Sequence, residues 1–374
     1  MANILINGLN SKIGGGKTIL IGYLNYLKTT SSDHTYYVLT PNIDDYKNHE
    51  SLKIRIIDIP KLHKISFLSP ILNLIIFKRL IRKYHINLIF NLASVPVAVD
   101  IPQIHLLQWA YVVYSDYNLW KKMPFKDYIK RKTKLFFIKQ NLHYPKIIVV
   151  QTETVKRRFQ KQFQLENQVE VIPNSIYLNT SNSSNRLFKL PKGTRLLYLT
   201  HYYYHKNIEI LIPLAQQIKK RNLDFKIITT IDPLQDKKAK KFLKDISLMD
   251  LADVICNIGT VNFEDTTVLY KQCNGLLMPT LLETYGLPYL EAMYCNIPIF
   301  TSNLDFAKDV CKDVATYFDP LNSNSILESL LLTYSNPNLL KSKIQKGNSL
   351  VKSLVKNNKE FDRYTQLMEL LLKK

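Results

Sequence analysis

Acidic residues, cysteines and long apolar runs are all scarce in this chain, and each shortage narrows what it can be. Only 30 Asp and Glu stand against 51 Lys and Arg in 374 residues, a net charge of +21 at pH 7. A partner surface is therefore expected to be anionic: nucleic acid, anionic lipid or a phosphorylated substrate. The four cysteines, Cys256, Cys273, Cys295 and Cys311, show no Cys-x-x-Cys spacing and read as buried free thiols suited to a reducing cytoplasm. The longest apolar run, near 67–77, is broken by Ser69, Pro70 and Asn73 and is too short to span a bilayer. The N-terminus, Met-Ala-Asn-Ile-Leu-Ile-Asn-Gly, has no basic segment followed by a long apolar one, so no signal peptide is expected. A soluble or peripheral protein is the reading. There is no His-x3-His and no Asp-x-Asp at a strand end, so no metal site is expected.

What is present is a globular composition, 46% hydrophobic and 22% charged, at a length that favours two domains. Apolar runs near 4–6, 36–39, 54–59, 88–90, 104–107, 147–150 and 169–173 read as strands, with helical segments between most of them. The polar, turn-rich stretch 179–194 is the linker candidate. The alternation then restarts, with strands near 196–199, 225–229, 254–258, 275–278, 299–301 and 316–318. Strands alternating with helices predict an α/β architecture of two doubly wound, Rossmann-like halves facing across a cleft, with ligands beyond the carboxyl ends of the strands. The expected division is 1–175, 176–355 and a C-terminal helix, 356–374, that packs back on the first domain.

The most informative stretch is 278–298, Met-Pro-Thr-Leu-Leu-Glu-Thr-Tyr-Gly-Leu-Pro-Tyr-Leu-Glu-Ala-Met-Tyr-Cys-Asn-Ile-Pro. It reads as strand, loop and helix, with Pro288 suited to the helix start. Glu283 falls on the loop and Glu291 about a turn into the helix, and the free N–H groups of the first turn favour an anion there. Taken as an isolated pair, Glu283 capping the helix and Glu291 lying in solvent is the ordinary reading.

Two further loops follow strands. Gly14-Gly15-Gly16-Lys17-Thr18 invites a P-loop reading, but the glycine needed five residues before Gly16 is Ser11. A glycine turn lining a ligand cleft, ahead of a helix from Lys17, is preferred. In Thr200-His201-Tyr202-Tyr203-Tyr204-His205-Lys206-Asn207, Lys206 is placed to offer a point charge to a phosphate. At the end of 104–107, Gln108 and Trp109 are cleft candidates, whereas His105 lies on the opposite strand face and reads as core. From Trp120 to Lys139 cations alternate with aromatic residues, as in a membrane-surface element.

The 278–298 string closely resembles the Glu-x7-Glu segment of retaining glycosyltransferases of family 4, among the group 1 glycosyl transferases, which have the GT-B fold. The 305–320 region continues that resemblance. It implies that Glu283, Tyr285, Gly286 and Leu287 hold the donor sugar and diphosphate and that Glu291 accepts from the ribose hydroxyls. It likewise places Gly15 and Gly16 towards the diphosphate and acceptor, and Lys206 on the diphosphate. His201 stands about where the family has an arginine. The implied activity is retaining transfer from a nucleotide-sugar to a glycan or lipid-linked saccharide in bacterial surface polysaccharide or lipopolysaccharide synthesis. Glu283 and Lys206 would carry the chemistry, with no cofactor or metal, on the inner face of the cytoplasmic membrane. The alternatives are a sugar-nucleotide 2-epimerase of the same architecture and a basic nucleic-acid-binding protein. No zinc-finger spacing, recognition helix or RNA-binding signature supports the last, so nucleic acid is not an expected partner.

Overall fold

A computed structural model describes residues 1–12, 14–57, 69–114, 120, 123–164, 168–174, 187–355 and 359–373. The chain forms two compact units, Met1–Tyr177 with Asn357–Lys374, and Leu178–Lys356. The linker reading at 179–186 lies outside the described residues.

In the first unit the strands are β1 (Asn3–Asn7), β2 (Thr35–Leu39), β3 (Ile54–Ile57), β4 (Leu88–Asn91), β5 (Gln103–Leu106), β6 (Ile147–Val150) and β7 (Gln168–Val171). They form one seven-stranded sheet in the order β3-β2-β1-β4-β5-β6-β7, parallel throughout. Helices α1 (Gly14–Thr29), α2 (Ser69–Tyr84), α3 (Phe125–Asn141) and α4 (Glu153–Gln162) connect them. Near-continuous burial of β1, β4, β5 and β6 is what a parallel sheet covered on both faces requires. Ile4, Ile6, Phe90, Ile104 and Val149 meet Leu20 and Tyr23 of α1 on one face. Leu5, Leu39 and Ile89 meet Phe77 of α2 on the other. The helix α1 starts at Gly14, not at Lys17, so Gly15 and Gly16 form its first turn and are not a separate loop.

The second unit repeats the plan with β8 (Thr194–Tyr198), α5 (Leu211–Lys220), β9 (Phe225–Thr229), α6 (Lys237–Leu248), β10 (Ile255–Asn257), α7 (Thr266–Lys271), β11 (Gly275–Met278), α8 (Leu287–Tyr294), β12 (Ile299–Ser302), α9 (Asp305–Cys311), β13 (Thr316–Phe318), α10 (Ser323–Tyr334) and α11 (Pro337–Val355). Its six parallel strands run β10-β9-β8-β11-β12-β13. A final helix, α12 (Lys359–Leu372), returns to the first unit. There Phe361, Tyr364 and Met368 join the α1 side of the core, Tyr26 donates to Asp362 at 2.5 Å, and His34 meets Glu369 at 2.6 Å. Both sheets reverse strand order once, between β1 and β4 and between β8 and β11. At such a point neighbouring loops diverge and leave a crevice at the carboxyl ends of the strands.

Candidate functional site

The reversal in the second sheet brings together the loops after β8 and β11, which carry most of the residues singled out above. Asn207, in the left-handed region at φ 53°, turns its side-chain amide to donate to the carbonyls of Pro279 at 3.2 Å and Pro320 at 2.7 Å. The backbone N–H of Leu281 donates to the His205 carbonyl at 2.7 Å, and Thr280 Oγ1 donates to the same oxygen at 3.1 Å. Beneath them, the buried Tyr198 hydroxyl donates to the Lys206 carbonyl at 2.5 Å. With both backbones held, the ammonium of Lys206 pairs directly with the Glu283 carboxylate, each side chain 16% exposed.

Gly286 forms the corner between this loop and α8. It sits at φ 84°, and a Cβ there would come within 2.6 Å of the Tyr289 ring. That ring is fixed, because Tyr289 is buried and its hydroxyl meets Thr301 Oγ1 at 2.8 Å. Only glycine suits both the conformation and the contact. The chain enters α8 with Pro288 in the first turn and Gly286 as the N-cap, without a side-chain cap. The capping reading of Glu283 is therefore overturned; its carboxylate is committed to Lys206. Tyr285 is buried to 5% exposure, so what it offers a ligand is its backbone.

The solvated reading of Glu291 is overturned as well. Its side chain is only 8% exposed, and Tyr270 on α7 donates a 2.8 Å hydrogen bond to Oε2. Burial pushes the Glu291 carboxyl up to about 7, against the opposing pull of the Tyr270 bond. The helix is packed on most sides, with Tyr289, Leu290, Ala292 and Met293 buried, and Glu291 lies within that run. His201, half-buried, is held below the ordinary histidine range, mainly by burial and then by the charge of Lys206, with Asp232 opposing. In the free protein this favours the neutral imidazole.

Lys206, Glu283, Tyr285, Gly286, Leu287, Glu291 and His201 thus all belong to the second unit. Gly15 and Gly16 belong to the first, at the carboxyl edge of its own sheet. There His105 is interior: Asn91 Nδ2 donates to its Nδ1 at 3.0 Å, and burial pushes it down to about 3. Tyr270, Tyr198 and Asn207 were not singled out in the sequence, because each acts through a partner distant in the chain. Among the described residues no group of three His, Cys, Asp or Glu side chains could hold a metal ion. Among them, too, no helix is long and apolar enough to cross a membrane.

The basic–aromatic segment divides by side. Trp120 is buried, Arg131 stacks on Tyr111 at 4.4 Å, and Lys134 stacks on Trp109 at 4.4 Å. Burial, then Arg131 and Lys130, push the Lys134 ammonium down to about 8. The outward face of α3 instead carries Phe125, Ile129 and Phe136, 76%, 46% and 56% exposed. Their spacing sets them in one stripe, and Lys126, Lys130, Lys132 and Lys139 are exposed beside it.

Residues 180–349 match the family described as Glycosyl transferases group 1. An O-antigen chain mannosyltransferase of Salmonella typhimurium is 25% identical over 191 residues, 51% of this chain and about half (51%) of that protein's length. Among solved structures, sucrose-phosphate synthase from Thermosynechococcus elongatus superposes with a TM-score of 0.79 at 17% identity, covering 100% of both chains. The Anabaena protein HepE in complex with UDP-glucose gives 0.73 at 13% identity, covering 99% of this chain and 100% of that one. These structures share the fold, so the two Rossmann-like units are those of GT-B. The matched segment, under half of the chain, contains the whole of the crevice between β8 and β11.

Proposed function

We propose that the protein is a retaining glycosyltransferase that takes a sugar from a nucleotide-sugar bound at the β8–β11 crevice. The observation that carries this reading is the convergence of Lys206, Glu283, the first turn of α8 and the buried Glu291 at the strand-order reversal. A nucleotide-sugar has matching parts: ribose hydroxyls for Glu291, a diphosphate for Lys206 and the α8 N–H groups, and sugar hydroxyls for Glu283. Glu283 and Lys206 neutralise one another in the free protein, so a diphosphate entering the crevice recruits the ammonium and leaves Glu283 to accept from the sugar. The bond from anomeric carbon to leaving phosphate oxygen breaks, the acceptor oxygen bonds to that carbon on the same face, and its proton passes to the departing phosphate. Lys206 and the helix N–H groups stabilise the charge that develops on the diphosphate, with no protein nucleophile and no metal.

The acceptor in this reading is a lipid-linked saccharide of a surface polysaccharide, in keeping with the O-antigen relative. The HepE complex supports a nucleotide-sugar donor. The α3 face supports docking on an anionic membrane surface, since apolar side chains ringed by lysines suit a headgroup layer and each cation there is worth about 1 kcal/mol. A thermal-shift screen of nucleoside diphosphates and their sugars tests the donor reading, because a ligand of the folded state raises its melting temperature. At least one should do so, and Glu291→Ala should abolish the effect; unchanged calorimetric affinity in that variant would remove Glu291 from the site. For the membrane, Phe125→Ser with Phe136→Ser should release the protein from phosphatidylglycerol vesicles. Equal co-sedimentation of variant and wild type would end that reading.

A further inference from the structure

The carboxyl edge of the first sheet holds amide side chains of two kinds. On the α2 side every amide is paired. Asn7 Nδ2 donates to Asn91 Oδ1 at 2.8 Å, and Gln103 exchanges two 3.0 Å bonds with the backbone of Val97. On the other side Gln108, Gln151 and Asn174 stand just past the ends of β5, β6 and β7. Gln151 is 1% exposed, yet neither Oε1 nor Nε2 has a hydrogen-bond partner. Gln108 Nε2 and Asn174 Oδ1 are likewise buried without one. An orphaned buried polar atom costs about 1–3 kcal/mol; among the described residues, only His105 Nε2 is one beside the paired amides of the α2 side, whereas four gather on the other side, which calls for a reason.

Their position supplies it. Ile104, Leu106, Ile147, Val149 and Ile172 all face the α1 side of the core, and strand alternation carries Gln108, Gln151 and Asn174 to that same side. The ladder continues past the strands, with Leu107 N–H donating to Val149 at 2.9 Å and Ile172 N–H donating to Val150 at 2.8 Å. This sets Gln108 and Gln151 side by side. Gln108 also lies against the first turn of α1, since a Cβ on Gly16 would be 3.5 Å from its Oε1. The free N–H groups of that turn add donors. The three side chains are uncharged, and an amide offers both donors and an acceptor, as vicinal hydroxyls require.

We propose that Gln108, Gln151 and Asn174, beside the first turn of α1, form a subsite that reads the hydroxyls of a neutral saccharide ring. Identifying that ring as part of the acceptor rests on the function proposed above; the subsite itself does not.

The test is saturation-transfer NMR on the full chain with the methyl pyranosides of mannose, glucose, galactose and N-acetylglucosamine. At least one should receive saturation from the wild type, and Gln151→Met should weaken that signal at least fivefold while keeping or raising the melting temperature. Gln108→Met serves the same purpose if the first variant does not accumulate. Glu283→Gln, which removes the carboxylate assigned to the donor sugar, should leave the pyranoside signal intact, which separates this subsite from the donor crevice. Silence from all four pyranosides, or a signal undiminished in the Met variants, overturns the proposal. So does a fall of more than about 5 °C in their melting temperature, which would assign the amides to the fold. If pyranosides bind but no nucleoside diphosphate does, the subsite stands and the donor reading falls.

Discussion

Replacing Glu291 by Gln should stabilise the protein at alkaline pH and leave it nearly unchanged in acid. Burial moves the carboxyl from an ordinary 4.5 to about 7. Because the folded value lies above the unfolded one, between these limits the folded chain keeps a proton that the unfolded chain has released. Stability from this group is therefore complete below pH 4.5 and is lost as pH rises through 7. The shift corresponds to about 3 kcal/mol at pH 8, at roughly 1.4 kcal/mol per pH unit. Glutamine keeps the shape and can still accept from Tyr270 (2.8 Å in the native pair), but never has to ionise. The expected gain is about 1–3 kcal/mol at pH 8, less than the full amount because the new NH2 also needs a partner, or roughly 2–10 °C for a unit of this size. The assay is thermal unfolding of wild type and variant at pH 5.5 and 8. A variant less stable than wild type at pH 8, or one with the same gain at both pH values, would refute the placement of Glu291 as a desolvated carboxylate. The functional counterpart follows from the same carboxylate: a nucleoside diphosphate that stabilises the wild type at pH 8 should lose most of that effect when its ribose is 2′,3′-dideoxy.

Three other outcomes follow from the crevice. Gly286→Ala, with a Cβ 2.6 Å from a fixed ring at φ 84°, should cost about 2–4 kcal/mol by urea unfolding, and a loss below 0.5 kcal/mol (order of magnitude) would contradict the corner geometry. Lys206→Ala should weaken nucleoside diphosphate binding about 10- to 100-fold in calorimetry while sparing the nucleoside, as loss of one charge-assisted contact would; equal affinities would release Lys206 from the diphosphate. His201, held towards the neutral form in the free protein, should take up a proton when a diphosphate binds, so that affinity rises as pH falls towards the ordinary histidine range near 6.5. Calorimetry in buffers of different ionisation enthalpy reads that uptake directly, and it should vanish in His201→Ala.

The doubly wound architecture was legible because each strand of a covered parallel sheet must be a short apolar run bounded by turn residues. The runs around β6, β9 and β11 coincide with the observed strands to the residue. Where reading and structure differ, a local rule lost to packing. Three consecutive glycines argue for a turn, yet α1 begins at Gly14 because Leu20 and Tyr23 hold the helix against the sheet, so its first turn needs little intrinsic propensity. Leu290, Ala292 and Met293 around Glu291 argued for a packed helix, while its charge argued for solvent. The deciding group, Tyr270, lies 21 residues earlier on another helix and has no local signature.

The same limit explains why Gln151 drew no notice as a residue in its own right. A glutamine after a strand is ordinary in sequence, and it becomes informative only when its neighbours are known to leave both of its polar atoms unpaired. Sequence spacing shows which side of an element a residue takes. Whether a polar group on that side is satisfied is decided by distant partners, and the unsatisfied ones are where a ligand is to be sought. On that criterion the two carboxyl edges are unlike. The second unit presents charge, with Lys206 and Glu283 paired and able to exchange partners, whereas the first presents neutral amides. The proposed transfer would use that division of chemistry, a diphosphate on one unit and hydroxyls on the other, and the pyranoside and nucleotide experiments measure the two halves separately.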